Sequence, residues 1–280
     1  MESKAKLKIE KLLNVKSEEI KNFKRFNQGM SNYNYYFEVN NLKYVIRLSG
    51  MSAYKFVNYE NEYNATKVLE EHSITSELLY FNTETGTKLS KYIEGLTIVD
   101  VDNKLINTLK KLHDIKVDNI DDYNLVHRLN LYESYNDKNK IPDIYFEIKN
   151  WWLKLYKEKY ENEPKVLCHN DLQSINIIDG GDKTFLIDLE YVAYNDIFYE
   201  YASFWNDPFY LFEKYNNRKP SDNEIEHINF FIIYQSMQWF NVALYKDKIG
   251  FSKETNYDFK DLSNYFLNNA KSIYEKMIKG

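Results

Sequence analysis

The stretch CHNDLQSINII, residues 168–178, carries His169, Asp171 and Asn176, and the apolar run FLIDLEY places Asp188 twelve residues beyond Asn176. Carboxylates set beside strand-like runs of Leu, Ile and Val are costly to bury unless a cation or a polar ligand meets them. The order H-x-D-x4-N followed by a second Asp suits phosphoryl transfer, which needs positioning and charge neutralisation more than covalent help. Asp171 is expected to orient a substrate hydroxyl and accept its proton. Asn176 would give a neutral oxygen, and Asp188 a carboxylate, to the Mg²⁺ that bridges the phosphates of ATP. His169 is expected to brace the loop by hydrogen bonds. The tripeptide HND alone reads more readily as a loop whose Asp caps a helix. Asn176 at its offset, the DGGDK turn between two short apolar runs, and Asp188 together favour the catalytic reading.

Something must hold these groups, and the pattern along the chain supplies it. FKRFNQ reads as a strand and GMSNY as a turn. YYFEV alternates into a hairpin whose Asn40–Asn41 leads to LKYVIRL, so three antiparallel strands open the domain. Residues 56–71 read as a helix with Tyr59, Glu62, Tyr63, Thr66 and Leu69 on one face, followed by strand candidates ELLYF and KLSKYI. After Gly95 the periodicity turns helical over about 101–114, 143–160, 222–246 and 258–278. This predicts an α+β chain with a small antiparallel β lobe over 1–95 and a larger, mainly helical lobe over 96–280. The opening segment, residues 1–20, reads as a charged amphipathic helix without a secretory apolar core.

Composition narrows the function classes. With 280 residues and 44% hydrophobic side chains, the chain can bury a full core. Its 42 acidic and 37 basic residues are interspersed, for a net charge of −5, so neither a nucleic-acid tail nor a polybasic membrane anchor is expected. The run INFFIIYQSMQWFNVALY is broken by Asn, Gln and Ser and reads as a buried helix. The single cysteine, Cys168, cannot pair within the chain, which points to the reducing cytoplasm.

The segment CHNDLQSINII followed by FLIDLEYVAYND resembles the choline/ethanolamine kinase family, in the aminoglycoside-phosphotransferase branch of protein-kinase-like folds. IDLEY and the YN after it stand where protein kinases carry D-F-G. NQGMSNYNYYFEVNNLKYVIRLSG, KYIEGLTI and LKKLHDI are similar to the family's nucleotide-loop strand pair, inter-lobe linker and following helix, so the resemblance covers about residues 23–260.

The resemblance implies a two-lobed protein-kinase-like fold and an ATP- and Mg²⁺-dependent kinase for a small amino alcohol, most readily choline to phosphocholine. Ser31 and Asn32 would offer a hydroxyl and backbone N–H groups to a phosphate. Arg47 would stand where protein kinases use lysine, presenting a permanent cation to the phosphates of ATP, and needs a carboxylate to hold it. Glu62 is the candidate, since it shares a helical face with Tyr59 while Glu60 points the opposite way. For the alcohol's cation the candidates are Glu190, Tyr191, Trp205 and Trp239, with Tyr194 and Tyr245 nearby in sequence. Two departures bear on the choice of alcohol: Val242 stands where the family commonly has a second tryptophan, and Glu200 where it has an aspartate. Ethanolamine, thiamine or an aminoglycoside are the alternative acceptors, and a catalytically silent binding module is the alternative of another class.

Overall fold

Alternation of side chains along neighbouring strands decides where the first part of the chain puts its apolar and polar surfaces. The computed structural model describes residues 1–26, 32–98, 100–255 and 257–279. They form two compact units, one of Met1–Leu112, Val117–Asp121 and Ile175–Val192, the other of His113–Lys116, Asp122–Ser174 and the chain from Ala193 onward.

The first unit begins with helix α1 (Glu2–Leu13) and strands β1 (Lys21–Arg25), β2 (Asn32–Val39) and β3 (Leu42–Ser49). Helix α2 (Tyr59–Glu71) and strands β4 (Leu78–Asn82) and β5 (Thr87–Lys91) follow. The strands make an antiparallel sheet in the order β1-β2-β3-β5-β4. Asn40 and Asn41, at φ 51° and 62°, supply the two left-handed residues that a tight β2/β3 hairpin requires. Tyr33, Tyr35, Phe37, Ile46, Leu48 and Leu89 pack together with Ala5 and Ile9 of α1. Period-two alternation then commits Asn34, Arg47, Lys88 and Ser90 to the opposite face, where all four line a cavity.

Helix α1 is shorter than the charged pattern predicts. Asn14 adopts left-handed φ 52°, ψ 51° and its N–H closes on Glu10 O, which ends the helix; only a short 3-10 turn over Ser17–Glu19 follows. Strand β1 begins two residues before the expected FKRFNQ, whose last two residues, with Gly29, Met30 and Ser31, lie outside the described part. Asn58 caps α2 by accepting the N–H groups of Glu60 and Asn61. Tyr59, Glu62, Thr66 and Leu69 are buried as the periodicity demands, but Tyr63 is 37% exposed, because it lies a further 100° round the helix from Glu62.

A second, three-stranded sheet joins β6 (Leu96–Thr97) to the hairpin of β8 (Ile177–Asp179) and β9 (Thr184–Leu186). Helix α3 (Asn103–Asp114), whose last two residues count with the second unit, docks Lys104 Nζ on Asp179 Oδ1 at 2.6 Å.

The second unit is mainly helical: α4 (Leu125–Ser134), α5 (Asp143–Leu155), α6 (Ile197–Ser203), α7 (Pro208–Asn216), α8 (Asp222–Lys248) and α9 (Phe259–Met277). Its strands β7 (Lys165–Cys168) and β10 (Ala193–Asp196) pair antiparallel. Helix α8 is the axis of its core, buried along most of its length, with Phe230 stacked on Trp152 of α5 at 4.7 Å. The sequence pattern missed α4, α6 and α7, which are too short for a clear helical period. No helix among the described residues is long and apolar enough to cross a membrane. Asparagine takes many left-handed positions along the chain, Asn14, Asn22, Asn40, Asn41, Asn124, Asn170 and Asn217.

Gly86 joins β4 to β5 at φ 64°, where a Cβ would meet Tyr59 Cε1 at 2.6 Å. Gly86→Ala therefore combines left-handed strain with a clash against a buried ring. Urea unfolding should show a loss of about 2 kcal/mol or more; an unchanged midpoint would disprove the constraint.

Candidate active site

The polar face of the first unit's sheet borders a cavity of about 300 Å³. Phe26, Val45, Ile93, Ile178 and Ile187 give it apolar walls, and Arg47, Lys88, Asn176 and Asp188 put charge and oxygen donors on the same lining. Arg47 forms a bidentate pair with Glu62, Nη1 to Oε1 at 2.7 Å and Nη2 to Oε2 at 2.8 Å. Nη1 also reaches Glu190 Oε1 at 3.1 Å, and Nε and Nη2 donate to Gly86 O at 3.2 and 3.1 Å. Burial works against the Arg47 charge, yet Glu62 and Glu190 outweigh it and hold the guanidinium above its ordinary value.

Glu190 lies in a short 3-10 turn, Leu189–Tyr191, and its Oε1 also accepts Asn32 Nδ2 at 2.6 Å. Burial, and then the charge of Asp188 beside it, push its carboxyl up to about 8 against the pull of Arg47. Tyr191 is packed in the same turn and is 5% exposed. Lys88 sits opposite Arg47 on the neighbouring strand, and burial pushes its ammonium below the ordinary lysine value.

Asn176 and Asp188 are brought to this one cavity by the β8/β9 hairpin, where Ile187 N donates to Asn176 O at 2.9 Å. Asp188 holds left-handed φ 60°, ψ 61°, a conformation that Asp tolerates better than most residues and that tends to gather at functional sites. A neutral amide oxygen and a carboxylate on one wall are the hard donors that Mg²⁺ takes, so the residues present fit that ion. Ser31 lies outside the described residues.

Asp171 belongs to the second unit and is 8% exposed. Its loop is gripped through the backbone: the N–H groups of His169 and Asn170 donate to Glu200 Oε1 and Oε2, each at 2.8 Å, and Leu172 N donates to Ser203 Oγ at 3.1 Å. Both acceptors are on α6. Asn170 turns the chain at φ 64° while its amide donates to Cys168 O and Ala193 O, each at 3.2 Å. Gln173 Nε2 holds Asp171 Oδ1 at 2.7 Å, and Asp171 N lies 3.3 Å from His169 Nδ1. Beneath the loop, His113 Nε2 lies 3.6 Å from Glu200 Oε1. Burial opposes the Glu200 charge, but the His113 ring and the loop amides outweigh it and hold the carboxyl below its ordinary value. The sequence marked Glu200 only as a departure; the structure makes it the acceptor on which the loop hangs.

A second cavity, of about 280 Å³, lies in the second unit. Trp205 and Trp239 meet there edge to face at 6.2 Å, and Phe266 packs on Trp205 at 5.6 Å. Phe209 of α7 and Tyr265 and Phe266 of α9, absent from the sequence-derived candidates, complete the aromatic lining. Gln235 fixes the pocket by accepting Trp205 Nε1 at 3.2 Å while donating to Tyr199 O at 3.0 Å.

The model of the choline/ethanolamine kinase family matches residues 23–221, more than half of the chain. The chain belongs to that family. Protein LicA of Haemophilus influenzae is 22% identical over 196 residues, 62% of this chain and 55% of the relative, so the match spans little more than half of that protein. Among solved structures, the choline kinase LicA from Streptococcus pneumoniae superposes with a TM-score of 0.82 at 23% identity, covering 99% of both chains. LicA in complex with AMP gives 0.79 at 23%, covering 98% of this chain and 99% of that one. The fold of this family member is thus α+β and protein-kinase-like.

Glu200→Gln keeps the size of the side chain but turns an amide N–H₂ toward at least one buried backbone N–H. Stability should fall by about 2 kcal/mol at neutral pH. Because the folded carboxyl lies below its ordinary value of 4.5, its stabilisation is present above that pH and lost as pH falls through the folded value. The gap between wild type and variant in denaturant unfolding should therefore close on acidification; a pH-independent gap would refute the assignment.

Proposed function

We propose that the protein transfers the terminal phosphate of ATP to the hydroxyl of a small amino alcohol, with choline the preferred acceptor. The observation that carries this reading is the presence, within the family-matched span, of Asp171, Asn176 and Asp188 on backbones fixed by their surroundings. Asp171, with one oxygen held by Gln173, orients the acceptor hydroxyl and takes its proton as that oxygen bonds to the terminal phosphorus and the bond from the phosphorus to the leaving ADP oxygen breaks. Asn176 and Asp188 would hold Mg²⁺, which when bound neutralises charge on the nucleotide's phosphates. The apolar walls around Val45, Ile93 and Ile178 suit a purine base.

The alcohol's cation is assigned to the aromatic cavity of Trp205 and Trp239. A quaternary ammonium donates no hydrogen bonds, so its recognition depends on ring faces, each worth about 0.5–2 kcal/mol. No acidic side chain among the described residues lines that cavity, and five aromatic residues do, Trp205, Phe209, Trp239, Tyr265 and Phe266. This favours choline over the primary ammonium groups of ethanolamine or an aminoglycoside, which gain more from a carboxylate than from ring faces. Glu190 is engaged by Arg47 and Asn32 instead. A cytoplasmic setting suits both the use of ATP and the unpaired Cys168.

Purified protein with Mg²⁺, ATP and each candidate alcohol in turn should release ADP fastest with choline; turnover confined to another acceptor would reject choline. Asp171→Asn should retain ATP affinity and lose about 10²–10⁴-fold in kcat, and unchanged kcat would remove its role as base. Trp239→Ala should raise the KM for choline about tenfold and leave that for ATP in place. Equal effects on both would argue for a packing role.

A further inference from the structure

Trp205 lies on a turn two residues beyond the end of α6, so no helix fixes the direction of its ring. An indole has one polar group, the Nε1–H donor, and in Trp205 that donor goes to Gln235 Oε1 at 3.2 Å. Trp205 is 38% exposed, whereas Gln235 is 3% exposed and sits within the buried length of α8. Gln235 stands one turn before Trp239, and residues four apart share a helix face. A single face of α8 therefore supplies one aromatic wall of the cavity and the amide that holds the other, the two rings meeting at 87°.

The amide serves in one orientation only. An indole N–H donates and a backbone carbonyl accepts, so a side chain placed between Trp205 Nε1 and Tyr199 O must turn an acceptor to the first and a donor to the second. Gln235 does so at 3.2 and 3.0 Å. Two ring faces set at a right angle form a corner in which a trimethylammonium group meets both, and a Trp205 ring free to swing withdraws one of them. A primary ammonium, which gains more from a carboxylate, loses less.

We propose that Gln235 is a positioning residue that sets selectivity for a quaternary ammonium acceptor by holding the Trp205 ring at right angles to Trp239. The inference rests on the assignment of the alcohol's cation to this cavity. Gln235 acts through the indole, and not by contact with the acceptor.

Steady-state kinetics with choline and with ethanolamine test this, on the full chain as wild type, Gln235→Met, Trp205→Phe and the double variant. Gln235→Met should lower kcat/KM for choline about tenfold, through KM, and leave the KM for ATP in place. It should change kcat/KM for ethanolamine by less than about threefold. Equal losses with the two alcohols, the mark of a general packing role, or no loss with choline, would overturn the proposal. Trp205→Phe keeps a ring but removes the N–H, so in that background Gln235→Met should cost less than about twofold with choline. A full tenfold loss there would overturn the proposal as well. If Gln235→Met does not fold, Gln235→Asn takes its place with the same expected and overturning results, since a side chain one methylene shorter cannot span from Tyr199 O to the indole. A wild type without preference for choline, or with a choline KM indifferent to Trp239→Ala, would remove the cavity assignment and this inference together; failure of the Gln235 variants alone removes only the inference.

Discussion

One buried guanidinium fixes the geometry of the first unit. Arg47 links strand β3 to helix α2 through Glu62, to the turn after Asp188 through Glu190, and to the β4/β5 connection through Gly86 O. Ion pairs this short are worth several kcal/mol apiece at the effective dielectric of a protein interior, and desolvation takes much of that back. What remains is mainly specificity. Three separate segments have one arrangement in which every donor meets an acceptor, and in that arrangement Asn176 and Asp188 share a wall with Lys88.

The second unit solves its positioning problem without a cation at the centre. The loop bearing Asp171 is anchored by its own amides on Glu200 and Ser203, while Asn170 and Asn195 join β7 to β10 beneath it. His113, Cys168 and Glu200 bring nitrogen, sulfur and oxygen atoms within 4.8 Å of one another, all buried. With both Glu200 oxygens already accepting backbone N–H groups, that cluster serves as the footing of the loop. The grip on this loop is thus mainly on the main chain, with Gln173 Nε2 holding Asp171 Oδ1 in addition.

The spacing of His169, Asp171, Asn176 and Asp188 was legible in the sequence because such loops are set by local chain geometry, and the inward turn of Glu62 followed from helical periodicity alone. Lys88 was not legible. In KLSKYI it looks like any lysine on a half-exposed strand, and only the burial of Leu89 in the sheet's core reveals that its neighbours face a cavity. Tyr265 and Phe266 were hidden for a related reason: their place beside Trp205 depends on how α9 packs on α8, contacts made far apart in sequence. Glu200 was visible only as a mismatch to a pattern, since its partners are amides, which leave no trace in side-chain composition.

The left-handed turns have a consequence for the chain before it folds. With only 8 glycines among its 280 residues, the protein entrusts Asn14, Asn40, Asn41, Asn170 and Asn217 with conformations that glycine usually supplies. Asparagine roams less than glycine in the denatured ensemble, so each such corner surrenders less disorder when it closes. The tight bend at Asn170 is therefore partly rehearsed in the unfolded polypeptide, and the loop it shapes begins from a narrower range of forms.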